Sequence, residues 1–178
     1  MGAVEPGQDR KIASLTTSIY VRYFYGVKFM NGDMYYMNEA LQLAKKAYSE
    51  DETPVGAVIV ENNEIIGYGY NQKDKLKVVT KHAELLAIEE ASKYKNDWRL
   101  NDATLYVTME PCPMCASAIQ QARIARIVYG CSSNNDDNIE LLYKIMQNKK
   151  YNHQVIIDKG IMEEECSAII KKFFSKKR

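Results

Sequence analysis

Residues 104–130 read TLYVTMEPCPMCASAIQQARIARIVYG, and the reading of this stretch decides the fold. Thr104 to Thr108 is a short apolar run rich in β-formers, the pattern of a buried strand. Cys112 to about Gln121 reads as a helix rich in small residues, and Arg126 to Gly130 is a second apolar run. Strand, helix and strand in so short a span imply parallel strands joined by a helical crossover.

Downstream, Ser132 to Asn138 reads as a loop of Ser, Asn and Asp. A helix from Ile139 to Gln147, a strand from His153 to Asp158 and a last helix from Met162 follow. Upstream, Met37, Ala40, Leu41, Ala44 and Tyr48 recur at helical spacing up to the acidic group Glu50, Asp51 and Glu52. Val55 to Val60 and Ile65 to Tyr70 are apolar runs separated by Glu61-Asn62-Asn63-Glu64, a hairpin pattern. Asn71 to Thr80 is a polar loop, and a helix starting near His82 is expected to bury Leu85, Leu86 and Ile88. Two antiparallel strands followed by crossovers predict an α/β fold: three layers, α/β/α, around a five-stranded mixed sheet.

Residues 1–33 differ in character. Tyr20, Tyr23, Phe24, Tyr25 and Phe29 cluster without helical or alternating spacing, and Gly26 and Gly32 interrupt them. They read as a leader or extension, expression-derived or from an over-extended start, with a native accessory arm as the alternative. Residues 34–178 are then the one folded domain.

The 178 residues suffice for one domain with a proper core. A hydrophobic fraction of 46% and a charged fraction of 26% are ordinary for a folded soluble chain. The net charge of +1 advertises no nucleic-acid binder, although a few placed Lys or Arg suffice for backbone contacts. No stretch spans a membrane, and no apolar run ends in a cleavage site, so a cytoplasmic location is expected. Of the four cysteines only Cys112 and Cys115 have a metal-ligand spacing; Cys131 and Cys166 read as small buried residues.

The chemistry lies in His82-Ala83-Glu84 and Pro111-Cys112-Pro113-Met114-Cys115, each at a helix start. Cysteines three apart in a first helical turn face one point, and the helix N-terminus favours their thiolates. With His82 they form a three-donor set suited to tetrahedral zinc with an open position for water, whose pKa drops to about 7 there. His82 and Glu84, two residues apart, diverge on a regular helix. His82 must therefore act from the irregular cap, with Glu84 pointing inward from the first turn. Glu84 is then the catalytic proton shuttle and His82, Cys112 and Cys115 the metal ligands. A structural zinc site with Glu84 as fourth ligand is the competing reading.

These residues resemble the signature of the cytidine-deaminase-like superfamily, His-x-Glu followed by Pro-Cys-x-x-Cys. From about Met34 to Arg178 the chain is most similar to the bacterial tRNA-specific adenosine deaminases. The match runs through Pro54-Val55-Gly56-Ala57-Val58, Lys81-His82-Ala83-Glu84, Asp97-Trp98-Arg99-Leu100 and Thr104 to Cys112. It continues through Arg123-Ile124, Tyr129-Gly130, Asn152-His153-Gln154-Val155, Gly160-Ile161 and Phe173-Phe174. The resemblance implies hydrolytic conversion of adenosine to inosine at the first anticodon position of tRNA. It also implies one zinc per subunit, a homodimer, and substrate contacts from Asn71 and from the backbone of Ala83. The alternative is deamination of a free nucleobase or nucleoside such as guanine or cytosine. The acidic stretch Cys131 to Asn138 and Pro113 point that way. At the C-terminus, Lys171, Lys172, Lys176, Lys177 and Arg178 read equally as a phosphate-facing patch or a solvated helix end.

Overall fold

A computed structural model describes residues 31–133 and 136–177. The chain divides into two units, residues 1–31 and 32–178, and apart from Asn31 the second carries the elements below. The leader expected over residues 1–33 lies, up to residue 30, outside the described residues.

The elements are α1 (Asn31–Ser49), β1 (Gly56–Glu61), β2 (Glu64–Tyr70), a one-turn α2 (Lys73–Leu76), α3 (Ala83–Lys95), β3 (Thr104–Met109), α4 (Pro113–Gln121), β4 (Arg126–Cys131), α5 (Asp136–Met146), β5 (Ile156–Lys159) and α6 (Glu163–Lys176). The strands form one five-stranded sheet in the order β2-β1-β3-β4-β5. β1 runs antiparallel to both β2 and β3, whereas β3, β4 and β5 are parallel. The hairpin turns at Asn62 and Asn63, both at positive φ (52° and 63°), the conformation a two-residue type I′ turn demands and Asn tolerates.

Alternation along the central strands supplies two cores. Ala57, Ile59, Leu105, Val107, Ile127 and Tyr129 face α3, α4 and α5. Val58, Val60, Tyr106 and Val128 face α1 and α6. Because both faces are covered, these strands read as continuous apolar runs.

Three local expectations are corrected. α5 starts at Asp136, inside the stretch read as loop, because Asp and Asn are favoured at helix starts as well as in loops. β5 starts at Ile156 instead of His153, since the backbone before it bonds elsewhere: Val155 donates to Met146 and the His153 carbonyl accepts from Gln120. α3 buries Ala83, Ala87 and Ala91, while Leu85, Leu86 and Ile88 are only half-buried. The reason is on β2. A Cβ at Gly69 would stand 2.0 Å from the Ala83 carbonyl oxygen, and one at Gly67 would stand 2.4 Å from that of Ala87. Helix and strand backbones touch at these glycines, so only alanine fits the helix face between them. That close approach draws the N-terminus of α3 onto the end of β2.

α1 is pinned across the sheet by one carboxylate. Asp33 accepts both Arg126 Nη1 and Nη2 at 2.8 Å and the Tyr106 hydroxyl at 2.7 Å, while Arg126 Nε donates to Asp158 at 2.6 Å. The Arg126 hydrogen bonds hold the Asp33 carboxyl below its ordinary pKa. A depressed folded-state pKa means stabilisation that is complete above the unfolded value and is lost as pH falls through the folded one. Asp33→Asn is therefore expected to cost about 1–2 kcal/mol at neutral pH, the scale of charge-assisted hydrogen bonds that are not fully buried. The difference from wild type should shrink below about pH 4, where carboxylates protonate. Urea denaturation at pH 7 and pH 3 measures it; a pH-independent difference would exclude the ionic account.

Candidate active site

The site forms where β2 and β3 end and β1 begins. Antiparallel pairing sets Gly56 opposite Tyr70 and Ala57 opposite Val107, so Asn71 after β2 and Glu110-Pro111-Cys112 after β3 leave the same edge. The Gly56 amide donates to Thr108 Oγ1 at 3.2 Å and the Asn71 amide to the Val55 carbonyl at 3.0 Å, locking those ends together. The chain then makes an excursion over 72–81, closed by Gln72 N–H to the Lys81 carbonyl at 2.9 Å. Asn71 and His82 flank that bond and are brought side by side.

His82 is the N-cap of α3 in extended conformation (φ −79°, ψ 153°), and Glu84 lies in the first turn, buried at 4% exposure. The residues two apart thus act from different backbone regimes, as the zinc arrangement required. Cys112 is likewise the extended N-cap of α4, with Pro113 at its first position and Cys115 buried in its first turn. Proline has no N–H to leave unpaired there.

The donor atoms of His82, Cys112 and Cys115 lie within 4.8 Å of one another. His82 Nδ1 stands 3.7 Å from Cys112 Sγ and 3.5 Å from Cys115 Sγ. Bonds of about 2.3 Å to sulfur and 2.0–2.1 Å to nitrogen, at a tetrahedral angle, require N···S edges of about 3.5–3.6 Å. The two N···S distances therefore match the edges that a tetrahedral zinc site requires. Among the described residues no Asp, Glu or further His or Cys joins this cluster as a fourth ligand. That is the three-ligand pattern of a catalytic site.

Considering the protein groups alone, the two sulfurs share one negative charge. The hydrogen bond from the Cys115 thiol, with His82 adding to it, holds Cys112 down to about 4; the same contact and burial push Cys115 up. The Cys112 contact raises His82. Burial is the main cause that pushes Glu84 up to about 6, into the range where a carboxyl can both take and give a proton near neutrality.

The remaining expected residues are placed as follows. Ala83 is fully buried against Gly69, and Asn71 is buried with its side-chain amide donating to Glu52. Glu52 itself, at 1% exposure, reads in the sequence only as the end of an acidic cluster; no pattern distinguishes it from Glu50 or Asp51. Cys131 and Cys166 are buried in the α1–α6 core as expected. His153 bonds the Ile124 carbonyl and takes no part in the site. Trp98, half-exposed, carries the Arg99 and Arg123 guanidinium groups at 4.6 and 5.6 Å from its ring centroid. It precedes β3 and so lies a strand's length from Cys112 and Cys115, which follow β3. The C-terminal lysines are largely engaged: Lys172 and Lys176 lie over the Tyr48 ring, and Lys177 pairs with Asp51. Phe174 meets Phe173 edge-on at 5.3 Å and stays half-exposed.

Comparison with known proteins agrees with this geometry. Residues 30–131 match the family described as cytidine and deoxycytidylate deaminase zinc-binding region. A tRNA-specific adenosine deaminase of Streptococcus pyogenes serotype M1 is 41% identical over 144 residues, covering 81% of this chain and 84% of the relative. The enzyme of that name from Bacillus subtilis (strain 168) is 42% identical over 149 residues, covering 84% and 92%. A solved structure from studies of A-to-I editing by tRNA A34 deaminases superposes with a TM-score of 0.71 at 36% identity, over 76% of this chain and 98% of that one. The chain belongs to the zinc-binding cytidine and deoxycytidylate deaminase family, on the branch of the tRNA-specific adenosine deaminases.

Proposed function

We propose that this protein hydrolyses adenosine to inosine at the first anticodon position of a tRNA, releasing ammonia. The observation that carries the proposal is the His82, Cys112 and Cys115 tetrahedral donor set beside a buried Glu84, in a chain so close to tRNA-specific adenosine deaminases over most of its length.

Zinc held by those three side chains supplies Lewis acidity that makes water a nucleophile near neutral pH. Glu84 accepts the proton that the attacking water gives up and passes protons to the ring nitrogen and then to the departing amine. Water adds its oxygen to the carbon bearing the amine and the C–N bond breaks, so adenosine and water become inosine and ammonia. Burial of Glu84 keeps competing water from the proton it carries. The Asn71 side chain and the Ala83 backbone hold the base, an assignment supported by their place on either side of the excursion and next to the ligand His82.

The protein acts as a homodimer in the cytoplasm, in keeping with a tRNA substrate. Among the described residues no helix is long and apolar enough to cross a membrane. Light scattering of the purified protein reports the dimer directly.

The deciding assay incubates zinc-loaded protein with an anticodon stem-loop bearing adenosine at the first anticodon position, and separately with free guanine, cytosine and adenosine. Inosine is expected in the RNA alone. Turnover confined to the free compounds would replace the tRNA assignment with a small-molecule one.

A further inference from the structure

Glu52 has no part in the proton transfers above, yet it is the most deeply buried ionisable carboxyl among the described residues, at 1% exposure. Its carboxylate collects three N–H donors. Oε2 accepts from Asn71 Nδ2 at 3.0 Å and from the Asp74 amide at 3.2 Å; Oε1 accepts from the Lys75 amide at 2.6 Å. Burying a carboxylate is costly unless it is hydrogen-bonded in this way. A loop staple alone could be made by an exposed side chain, as Glu50 shows by pairing with Lys75 Nζ at 2.8 Å from the rim.

The buried partner matters because of what it touches. An asparagine amide has two chemically opposite ends, an oxygen that accepts and an NH2 that donates, and little else in its shape distinguishes them. A carboxylate only accepts, so it admits one orientation: Nδ2 toward Glu52 and Oδ1 away from it. No described residue donates a hydrogen bond to that Oδ1. The same carboxylate takes two amides of α2, so the start of the excursion and the polarity of Asn71 are set by one group.

We propose that Glu52 is a positioning residue for base recognition: it fixes which end of the Asn71 amide is presented to the substrate and thereby governs binding of the base. The inference rests on the proposed function, in which Asn71 meets the base. Glu52→Gln keeps the volume of the side chain but offers one donor and one acceptor. The Asn71 amide then loses its imposed direction and can turn its NH2 outward.

The test is a double-mutant cycle on zinc-loaded protein with the anticodon stem-loop, comparing wild type, Glu52→Gln, Asn71→Ala and the double variant. Glu52→Gln is expected to lower kcat/KM by about 100-fold, the scale of a misplaced binding group, chiefly through KM and with zinc content unchanged. The double variant is expected to match Asn71→Ala, because a residue that acts through Asn71 has nothing further to lose. Losses that multiply in the double variant, or a Glu52→Gln enzyme within threefold of wild type, would overturn the proposal. If Glu52→Gln does not fold, Glu52→Asp, which keeps the acceptors but withdraws them by one methylene, enters the cycle under the same criteria. If wild type converts a free base and leaves the stem-loop untouched, the tRNA assignment falls, and the cycle run on that base decides the role of Glu52 separately.

Discussion

Glu84→Gln is expected to abolish deamination while leaving the zinc and the fold in place. Glutamine fills the same buried position in the first turn of α3 but can neither take a proton from water nor return one to the leaving amine. General acid–base catalysis contributes about 100- to 10,000-fold, and the proposed mechanism routes every proton through this single group, so a loss of at least about 1,000-fold in kcat is expected. Stability should not fall, because burial disfavours the charged form of the Glu84 carboxyl, a cost that the neutral amide avoids. Zinc content by mass spectrometry, thermal melting and initial rates on the anticodon stem-loop together decide the matter. Turnover within tenfold of wild type, with zinc bound, would remove Glu84 from the proton pathway. Loss of zinc in this variant would instead make Glu84 a ligand, the structural alternative that the three-residue cluster argues against.

Taking away the metal is expected to have the other large effect, on stability and activity at once. Cys115 is fully buried in the first turn of α4 and provides one of the two sulfur corners. Cys115→Ser replaces a thiolate by a hydroxyl that stays protonated near neutral pH and is a far poorer zinc donor. The variant should carry well under one zinc per chain and show no measurable inosine formation. In the wild type, a strong chelator should have the same effect on activity, and zinc should restore it. A ligand that binds only the folded state at a thousandfold excess over its Kd stabilises by about 4 kcal/mol, which corresponds to a melting-temperature drop on the order of 10 °C on its removal from a domain of this size. A chelated protein that retained full rate would exclude a catalytic metal. One that lost rate but not melting temperature would show that the tetrahedron is held by the fold alone.

The layer architecture was legible because its signals are periodic. Continuous apolar runs at Thr104 to Thr108 and Arg126 to Gly130 mark strands covered on both faces, and the run between them is too long and too rich in small residues to be a strand. The zinc ligands were legible because chemistry restricts the residue types and helix geometry restricts the spacing of Cys112 and Cys115. The boundaries of α5 and β5 were less so, since Asp and Asn serve both loops and helix starts, and since β5 begins only where the backbone after Val155 is released from Met146.

α3 shows where local pattern gives way to packing. Its leucines carry the hydrophobic signal, yet its alanines make the core contact, because glycines on a strand fourteen to twenty-four residues earlier let the two backbones meet. Glu52 shows the same limit in a polar group. Its neighbours Glu50 and Asp51 are chemically equivalent in one dimension, and only the turn after α1 carries Glu52 inward to Asn71 and the amides of α2.

What can be read along one dimension is therefore the set of elements, the metal-binding residue types and the carboxylate beside them, because these depend on spacing within a single turn or strand. What folding in three dimensions adds is which of those groups meet: His82 with two sulfurs thirty residues away, and Asn71 with a carboxylate nineteen residues before it. Contacts of that range depend on how backbones approach across the sheet, and no local periodicity encodes that distance.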